Sequence, residues 1–252
     1  MSCPVDTNTD LITFTILVGG SEIDGTYEVM SIETEKTANR ISTAHITLLD
    51  GSASESDFKV SNTADFLPGA EIEIKAGYHS KEETIFKGIV VKHGVSASDT
   101  ASELTLECRD KAIKMTVGRK NAYFIDKKDS DIITSLIGDA GLSSDVDATT
   151  YQHASMIQFD ATDWDFLMTR AESNGLIVLV DDGKVSAKTP DTSQEAVLSV
   201  GYGGTILEFN AEMDAASQIK TVKGYAWDSA TQKVVNGTGK SSIKNTGNVT
   251  SD

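Results

Sequence analysis

Apolar and polar side chains alternate along residues 10–118. Ile12, Phe14 and Ile16 are separated by Thr13 and Thr15, which is typical of a β-strand with one buried face. Stretches of this kind predict about six strands, at 12–18, 27–32, 44–49, 72–76, 85–92 and 104–108. Their spacing indicates an antiparallel barrel or a sandwich. The pattern alone does not decide between the two.

After residue 118 the spacing of apolar residues changes from every second residue to the three- and four-residue spacing of helices. Ser130 is a suitable N-cap for a helix that Gly141 would end. The apolar stripe of this helix consists of Ile133, Leu136, Ile137 and Ala140. We expect a loop over residues 142–150.

Residues 151–190 predict a strand, a capped helix and a hairpin. Thr162 can cap the helix, with Asp165 three residues later in a capping-box arrangement. The helical stripe consists of Trp164, Leu167, Met168 and Ala171. If Trp164 is a core residue, its truncation to Ala should cost about 3–5 kcal/mol. Asn174-Gly175 ends the helix, and residues 176–180 and 184–188 fold back around a turn at 181–183.

Strand patterns return after residue 190, at 196–200, 205–212, 218–227 and 233–235. These are too few for a complete barrel, so we expect this β unit to borrow residues 156–159 or 176–188. The chain therefore divides into a first β domain (1–118), an α/β insertion (119–190) and a second, discontinuous β domain (191–240). Residues 241–252 are expected to be a flexible tail or a linker to a spike domain.

Composition excludes several classes of protein. With 39% hydrophobic and 24% charged residues, the 252-residue chain can bury a core. The net charge of −16 argues against nucleic-acid binding, which needs a basic face, and against anionic membrane surfaces. No run reaches the roughly 18 apolar residues of a membrane span.

The cysteines and the N-terminus indicate the compartment. Cys3 and Cys108 are too few for a disulfide framework, so we expect free thiols. The N-terminal sequence MSCPVDTNTD has neither a basic patch nor an apolar core, so it does not read as a secretory leader. We expect synthesis and assembly in the cytoplasm.

No constellation of residues indicates an enzyme. No paired spacing typical of a zinc site connects the histidines, which are His45, His79, His93 and His153. A GxSxG elbow is absent, and the glycine-rich run 200–204 lacks the lysine of a phosphate loop. We therefore predict no catalytic, cofactor-binding or metal-binding residues and no cofactor.

Clustered aspartates have simpler explanations than catalysis or metal binding. Asp163 and Asp165 lie in the first turn of a predicted helix, where acidic side chains stabilise the helix dipole. A second set lacks the glycine and terminal glutamate of a calcium-binding loop. It consists of Asp145, Asp147, Asp181 and Asp182.

Several segments together resemble the spike and hub family of contractile injection machines. This family comprises VgrG-type proteins of type VI secretion and baseplate hubs of contractile phage tails. The similar segments are FLPG (66–69), EIEIKAGY (71–78), IFKGIVV (85–91), and residues 129–142, 159–180 and 206–235. Their order extends the resemblance over about residues 10–235.

The resemblance implies a mainly β fold of two antiparallel β-barrels, similar to tail-tube subunits, with an α/β insertion. It implies a homotrimer that adapts a threefold spike to a hexameric tail tube, with spike-tip and baseplate proteins as further partners. The resemblance also implies that the particle is ejected on contraction. Which contractile system the chain serves, and whether an effector binds, stay open.

Longer relatives continue into further spike domains, whereas this sequence stops in a polar tail. A hub with a separately encoded spike and a piece of a longer spike both fit. The alternative function is a monomeric β-rich module that binds a carbohydrate or a cell-wall ligand.

Overall fold

A computed structural model describes residues 12–51, 57–79, 81–98, 102–191, 200–204, 206, 208, 210, 219 and 221–240. The fold is mainly β, with 54% of the described residues in strands and 14% in helices, which confirms the predicted class. The described residues form two compact units, one before and one after residue 190.

One antiparallel sheet contains the first seven strands. They are β1 (Ile12–Val18), β2 (Ser21–Glu22), β3 (Val29–Glu35), β4 (Thr43–Leu49), β5 (Glu71–Tyr78), β6 (Lys81–Ala97) and β7 (Ser102–Arg109). Their order in the sheet is β2-β1-β5-β6-β7-β4-β3. Each of the six predicted strands corresponds to one of these, and β2 is an additional two-residue strand.

The long strand β6 joins two halves of this sheet. Its residues 81–89 pair with β5, and residues 89–97 pair with β7. The inner faces of both halves contribute to one core cluster. Its fully buried members include Ile46, Ile74, Phe86, Leu104 and Leu106. The sheet therefore bends around its own core at β6.

A smaller α/β part follows in the same unit. It consists of a 3-10 helix (Lys111–Thr116), β8 (Lys120–Lys128), α1 (Asp129–Asp139), β9 (Ser143–Val146), β10 (Gln152–Ala161), α2 (Asp163–Ser173), β11 (Ile177–Asp181) and β12 (Lys184–Lys188). β8 and β10 form a two-stranded antiparallel ribbon. β12 pairs with β11 on one side and, in parallel, with β9 on the other. The predicted loop over 142–150 is therefore wrong at β9.

Helix α2 begins as predicted, because the Thr162 hydroxyl accepts a hydrogen bond from the Asp165 amide. Helix α1 begins earlier than predicted, at Asp129. Ser130 lies inside the helix, where its amide donates to the Thr149 hydroxyl. The proposed Ser130 cap is wrong because Lys128 is the N-cap, and its amide donates to the Asp131 carboxylate.

The helices, β11 and β12 enclose a second core. Leu167 and Ala171 of the predicted stripe are fully buried. Trp164 and Met168 are only half-buried and pack at the margin of this core, while Phe166 is buried in their place. The buried stripe is thus rotated relative to the prediction.

After residue 190, β13 (Thr221–Asp228) and β14 (Lys233–Lys240) form an antiparallel hairpin. The predicted strands at 196–200 and 205–212 lie almost wholly outside the described residues. Residues 156–159 and 176–188, which were expected to be borrowed, pair with β8 and β9. A second β-barrel over 191–240 stays a prediction. No helix among the described residues is long and apolar enough to cross a membrane.

Candidate functional site

The four histidines lie apart from one another. His45 is on β4, His79 is between β5 and β6, His93 is on β6 and His153 is on β10. Among the described residues, no three His, Cys, Asp or Glu side chains assemble as metal ligands. Burial, followed by the neighbouring Glu107 carboxylate, raises the pKa of the Cys108 thiol to about 12, so this cysteine is a poor nucleophile. Cys3 lies outside the described residues.

The aspartates considered for calcium binding form ion pairs instead. Asp145 and Asp147 both bind Lys188 across the β9–β12 pair. Hydrogen bonds from Lys188 and Lys184 hold the pKa of Asp145 below its usual value. Asp181 binds Lys36. Lysine ammonium groups thus occupy the position that a cation would take.

Asp163 and Asp165 do not form a catalytic pair. Asp163 is buried, and it accepts hydrogen bonds from Lys120 at 2.5 Å and Gln158 at 3.0 Å. Asp165 is exposed. Asp163 therefore joins α2 to the β8–β10 ribbon, whereas Asp165 lies in solvent on the first helical turn.

A buried polar cluster surrounds Asp129 in the α/β part. Asp129 Oδ2 accepts hydrogen bonds from Asn174 Nδ2 at 2.9 Å and His153 Nε2 at 3.0 Å. Arg170 Nη1 lies 3.7 Å from Asp129 Oδ1. Burial raises the pKa of Asp129, but these hydrogen bonds and charges outweigh it, so the pKa lies below its usual value.

This cluster is suited to holding α1, β10 and α2 together. In the part of the chain that the structure describes, no Ser, Thr or Cys side chain hydrogen-bonds His153, so a nucleophile–base pair is not formed. Sequence patterns gave no signal for the cluster, because Asp129 precedes its partners His153, Arg170 and Asn174 by 24, 41 and 45 residues, and no local motif spans such distances.

Asp129→Asn should lower the free energy of unfolding by about 2 kcal/mol at neutral pH, because a charged acceptor of buried hydrogen bonds is lost. Since folding lowers the pKa of Asp129, its contribution is present above the unfolded value of about 3.9 and is lost as pH falls through the folded value. Urea unfolding at pH 7 and pH 3 measures the effect.

Asp131→Asn is the matched control, since Asp131 is exposed on the same turn of α1. It should cost less than about 1 kcal/mol. A difference between wild type and Asp129→Asn that is as large at pH 3 as at pH 7 would contradict the assigned role of the Asp129 charge.

An open cleft of about 400 Å³ lies between the first sheet and the α/β part of the same unit. Glu35, Arg40 and Arg109 line it, together with the half-buried Trp164. Arg109 is already paired with Glu107 at 2.7 Å. Because charges of both signs line the cleft, it favours no single class of ligand.

The most distinctive surface is one face of the β8–β10 ribbon. Tyr123 lies opposite Ile157, and Ile125 lies opposite Ser155. Side chains two residues apart share a face of a strand, so this face also includes Phe159. Tyr123 and Phe159 are 74% and 78% exposed, and both isoleucines are more than half exposed. We call this set the ribbon face: Tyr123, Ile125, Ile157 and Phe159.

The opposite side of the ribbon is packed. Phe124 and Met156 contact the second core, and Phe124 stacks on Phe166 with ring centroids 5.8 Å apart. Gln158 is buried and donates to Asp163. The ribbon is therefore held firmly while four large apolar side chains face outwards.

A second apolar surface lies at one end of the first sheet. Ile12, Phe14 and Tyr78 continue the inner-face alternation of the buried Ile16 and Ile74, but each is at least 46% exposed. We call these three residues the sheet end. In the described chain, β2 pairs with only the last two residues of β1, so this part of β1 is also an open edge.

In the second unit, both faces of the β13–β14 hairpin are exposed. One face carries Tyr225, Trp227 and Val234, and the other carries Val222 and Val235. A two-stranded hairpin alone is marginally stable in water. Its apolar side chains are thus available for contact with other β-structure.

Residues 8–252 match the family model described as Alg8 N-terminal domain. No curated protein matches the chain in sequence.

Several solved structures share the fold. The 43 kDa tail protein of prophage MuSo2 from Shewanella oneidensis aligns with a TM-score of 0.61 and 13% identity, covering 92% of this chain and 70% of that chain. A tail protein from Neisseria meningitidis MC58 aligns with a TM-score of 0.64 and 17% identity, covering 92% and 68%. At these identities the likeness establishes the fold.

The E. coli c3393 protein is a component of the type VI secretion system with structural similarity to the T4 tail proteins gp27 and gp5. It aligns with a TM-score of 0.51 and 10% identity, covering 68% of this chain and 48% of that chain. The fold is therefore shared with tail proteins and with a type VI secretion component.

Proposed function

The chain belongs to the family described as Alg8 N-terminal domain, and we propose that it is a non-enzymatic structural hub of a contractile injection machine. In this role it is a homotrimer that joins a threefold spike to a sixfold tail tube. The machine is a phage tail, a type VI secretion system or a related particle.

The observation that carries the proposal is the tail-protein fold, which extends over 92% of the chain in two alignments. Its surfaces support the same role. The ribbon face, the sheet end and the β13–β14 hairpin expose large apolar side chains. Apolar surfaces of this kind mark contacts between proteins, and they suit a subunit that functions inside an assembly.

Symmetry explains why such a hub should be a trimer. In the family that the sequence resembles, each subunit supplies two tube-like β-barrels, so that three subunits present six barrels to a hexameric tube. In the proposed ring, the sheet of β1–β7 would take the place of the first barrel, and residues 191–240 would supply the second. Pairing of open strand edges between subunits would also protect them from aggregation.

The proposed partners follow from this position. The hexameric tube protein binds one side of the ring, and spike-tip and baseplate proteins bind the other. The hub is assembled in the cytoplasm and leaves with the particle on contraction. The Asp129 cluster, the Lys-paired aspartates and the buried Cys108 thiol all have structural explanations, which supports a role without catalysis.

Electron microscopy of the purified full chain tests the proposal. We expect class averages with a threefold ring of six similar lobes, because each of three subunits contributes two. Particles with three lobes, or single-chain particles without a ring, would contradict the adaptor role. The second of these results would favour the monomeric binding module.

A further inference from the structure

A threefold ring places a geometric requirement on the chain. A twofold contact uses the same patch on both subunits, whereas a ring of three needs two different patches on each subunit that fit one another. This inference rests on the proposed trimer. Residues 12–190 form one compact unit, and they carry two separate apolar surfaces, the ribbon face and the sheet end.

The ribbon face is large enough to contribute substantially to an interface. Its two aromatic and two aliphatic side chains expose on the order of 400 Å² of apolar surface. That is about half of the roughly 800 Å² that one partner supplies to a standard interface. Aromatic side chains are also enriched in protein–protein interfaces, and tyrosine is among the residues that most often carry the binding energy.

Local charge favours a particular partner for the ribbon. Arg119 and Lys120 are already paired with Asp160 and Asp163. At the other end of β8, Lys127 and Lys128 form no ion pair with another described residue, and they are the cations that the ribbon offers to a partner. The whole chain carries a net charge of −16. If two ribbons met face to face, their cations would repel one another. A different surface of a second copy, which is acidic overall, would instead attract them.

The sheet end has the matching chemistry. Ile12, Phe14 and Tyr78 extend the core face of the sheet beyond its buried part. On the neighbouring strand, Glu83 lies opposite Ala76 and Lys81 lies opposite Tyr78, and both charged side chains are exposed. The surface is apolar in the middle and carries one charge of each sign at its margin, where the Glu83 carboxylate can accept a ribbon cation.

We propose that the ribbon face of one copy docks onto the sheet end of the next copy, head to tail around the threefold ring. Tyr123 and Phe159 cover Ile12, Phe14 and Tyr78 of the neighbour, and the ribbon cations face the acidic surface of that neighbour. Each chain uses both surfaces once, so three contacts close the ring.

Light scattering after size exclusion on full-length variants tests this contact. The ribbon variant is Tyr123→Ser with Phe159→Ser, and the sheet-end variant is Ile12→Ser with Tyr78→Ser. We expect each variant to elute as a single chain, because the concentration needed for assembly rises by more than about tenfold. All four residues are at least 58% exposed, so thermal unfolding should be nearly unchanged.

Mixing the two variants gives the sharpest result. The sheet end of the ribbon variant and the ribbon face of the sheet-end variant are both intact, so one contact can form. We therefore expect a species with the mass of two chains. Val117→Ser is the matched control, since Val117 is 72% exposed in the same unit but belongs to neither surface. It should leave the trimer intact.

Two results would overturn the head-to-tail contact without contradicting the trimer. One is a ribbon variant that keeps the mass of three chains, and the other is a mixture of the two variants that keeps the mass of one chain. A single-chain mass for the wild type would overturn the trimer, and with it this contact. If a double variant unfolds, Phe159→Ser alone replaces the ribbon variant, and it should shift assembly in the same direction.

Discussion

Gly88→Ala should destabilise the first sheet by at least about 3 kcal/mol and lower its thermal midpoint by roughly 10 °C. A Cβ at Gly88 would lie 2.2 Å from the Arg109 carbonyl oxygen and 2.8 Å from the Phe86 ring. The carbonyl is backbone, at the point where β6 passes from β5 to β7. The two strands would have to separate to accept even one methyl group.

Gly94→Ala is the control on the same strand. Its Cβ would lie 3.9 Å from the nearest atom, the Thr105 carbonyl oxygen, which is ordinary van der Waals contact. We expect a change of less than about 1 kcal/mol. Circular dichroism melts of both variants measure the difference. If the two variants have the same melting temperature, β6 does not approach Arg109 as closely as described.

Leu167→Ala should lower the free energy of unfolding by about 3 kcal/mol. Leu167 is fully buried in the second core, so truncation loses apolar burial and leaves a cavity. Chemical denaturation followed by circular dichroism measures the change. The effect should exceed that of most substitutions elsewhere in the α/β part.

Leu179→Ala makes the same chemical change on β11, where the side chain is 48% exposed. It should cost less than about 1 kcal/mol. Equal destabilisation by the two substitutions would mean that α2 is not packed on its core through Leu167. Trp164, which we expected to be a core residue, is half-buried. Its truncation to Ala should therefore lower the free energy of unfolding by less than the roughly 3–5 kcal/mol of a fully buried aromatic.

Local patterns predicted the elements whose signals are local. The alternation of β1, the Thr162 cap and the turn between β11 and β12 all depend on neighbouring residues. In that turn Asp182 and Gly183 both have positive φ, at 52° and 80°, as expected of a tight hairpin with glycine at its second position.

The missed elements depend on distant partners. β9 has four residues and exists because β12 provides a parallel neighbour some 40 residues later, and no local pattern indicates that pairing. For α1, the N-cap is Lys128, two residues before Ser130, and the Asp131 carboxylate accepts a hydrogen bond from the Lys128 amide.

The candidate surfaces could not be predicted from the sequence at all. Phe124 packs against the core and Tyr123 next to it faces solvent, yet alternation only assigns them to opposite faces. Which face is covered depends on where α2 packs. Similarly, Phe14 and Ile16 lie on the same face of β1, but only Ile16 is buried.

The mass of the full-length chain in solution tests the central claim most directly. At about 0.15 M salt the Debye length of about 8 Å screens much of the repulsion between copies, each of which carries −16. Light scattering coupled to size exclusion should then give three times the 26.9 kDa of one chain. A mass of one chain across the accessible concentration range would contradict the trimeric hub.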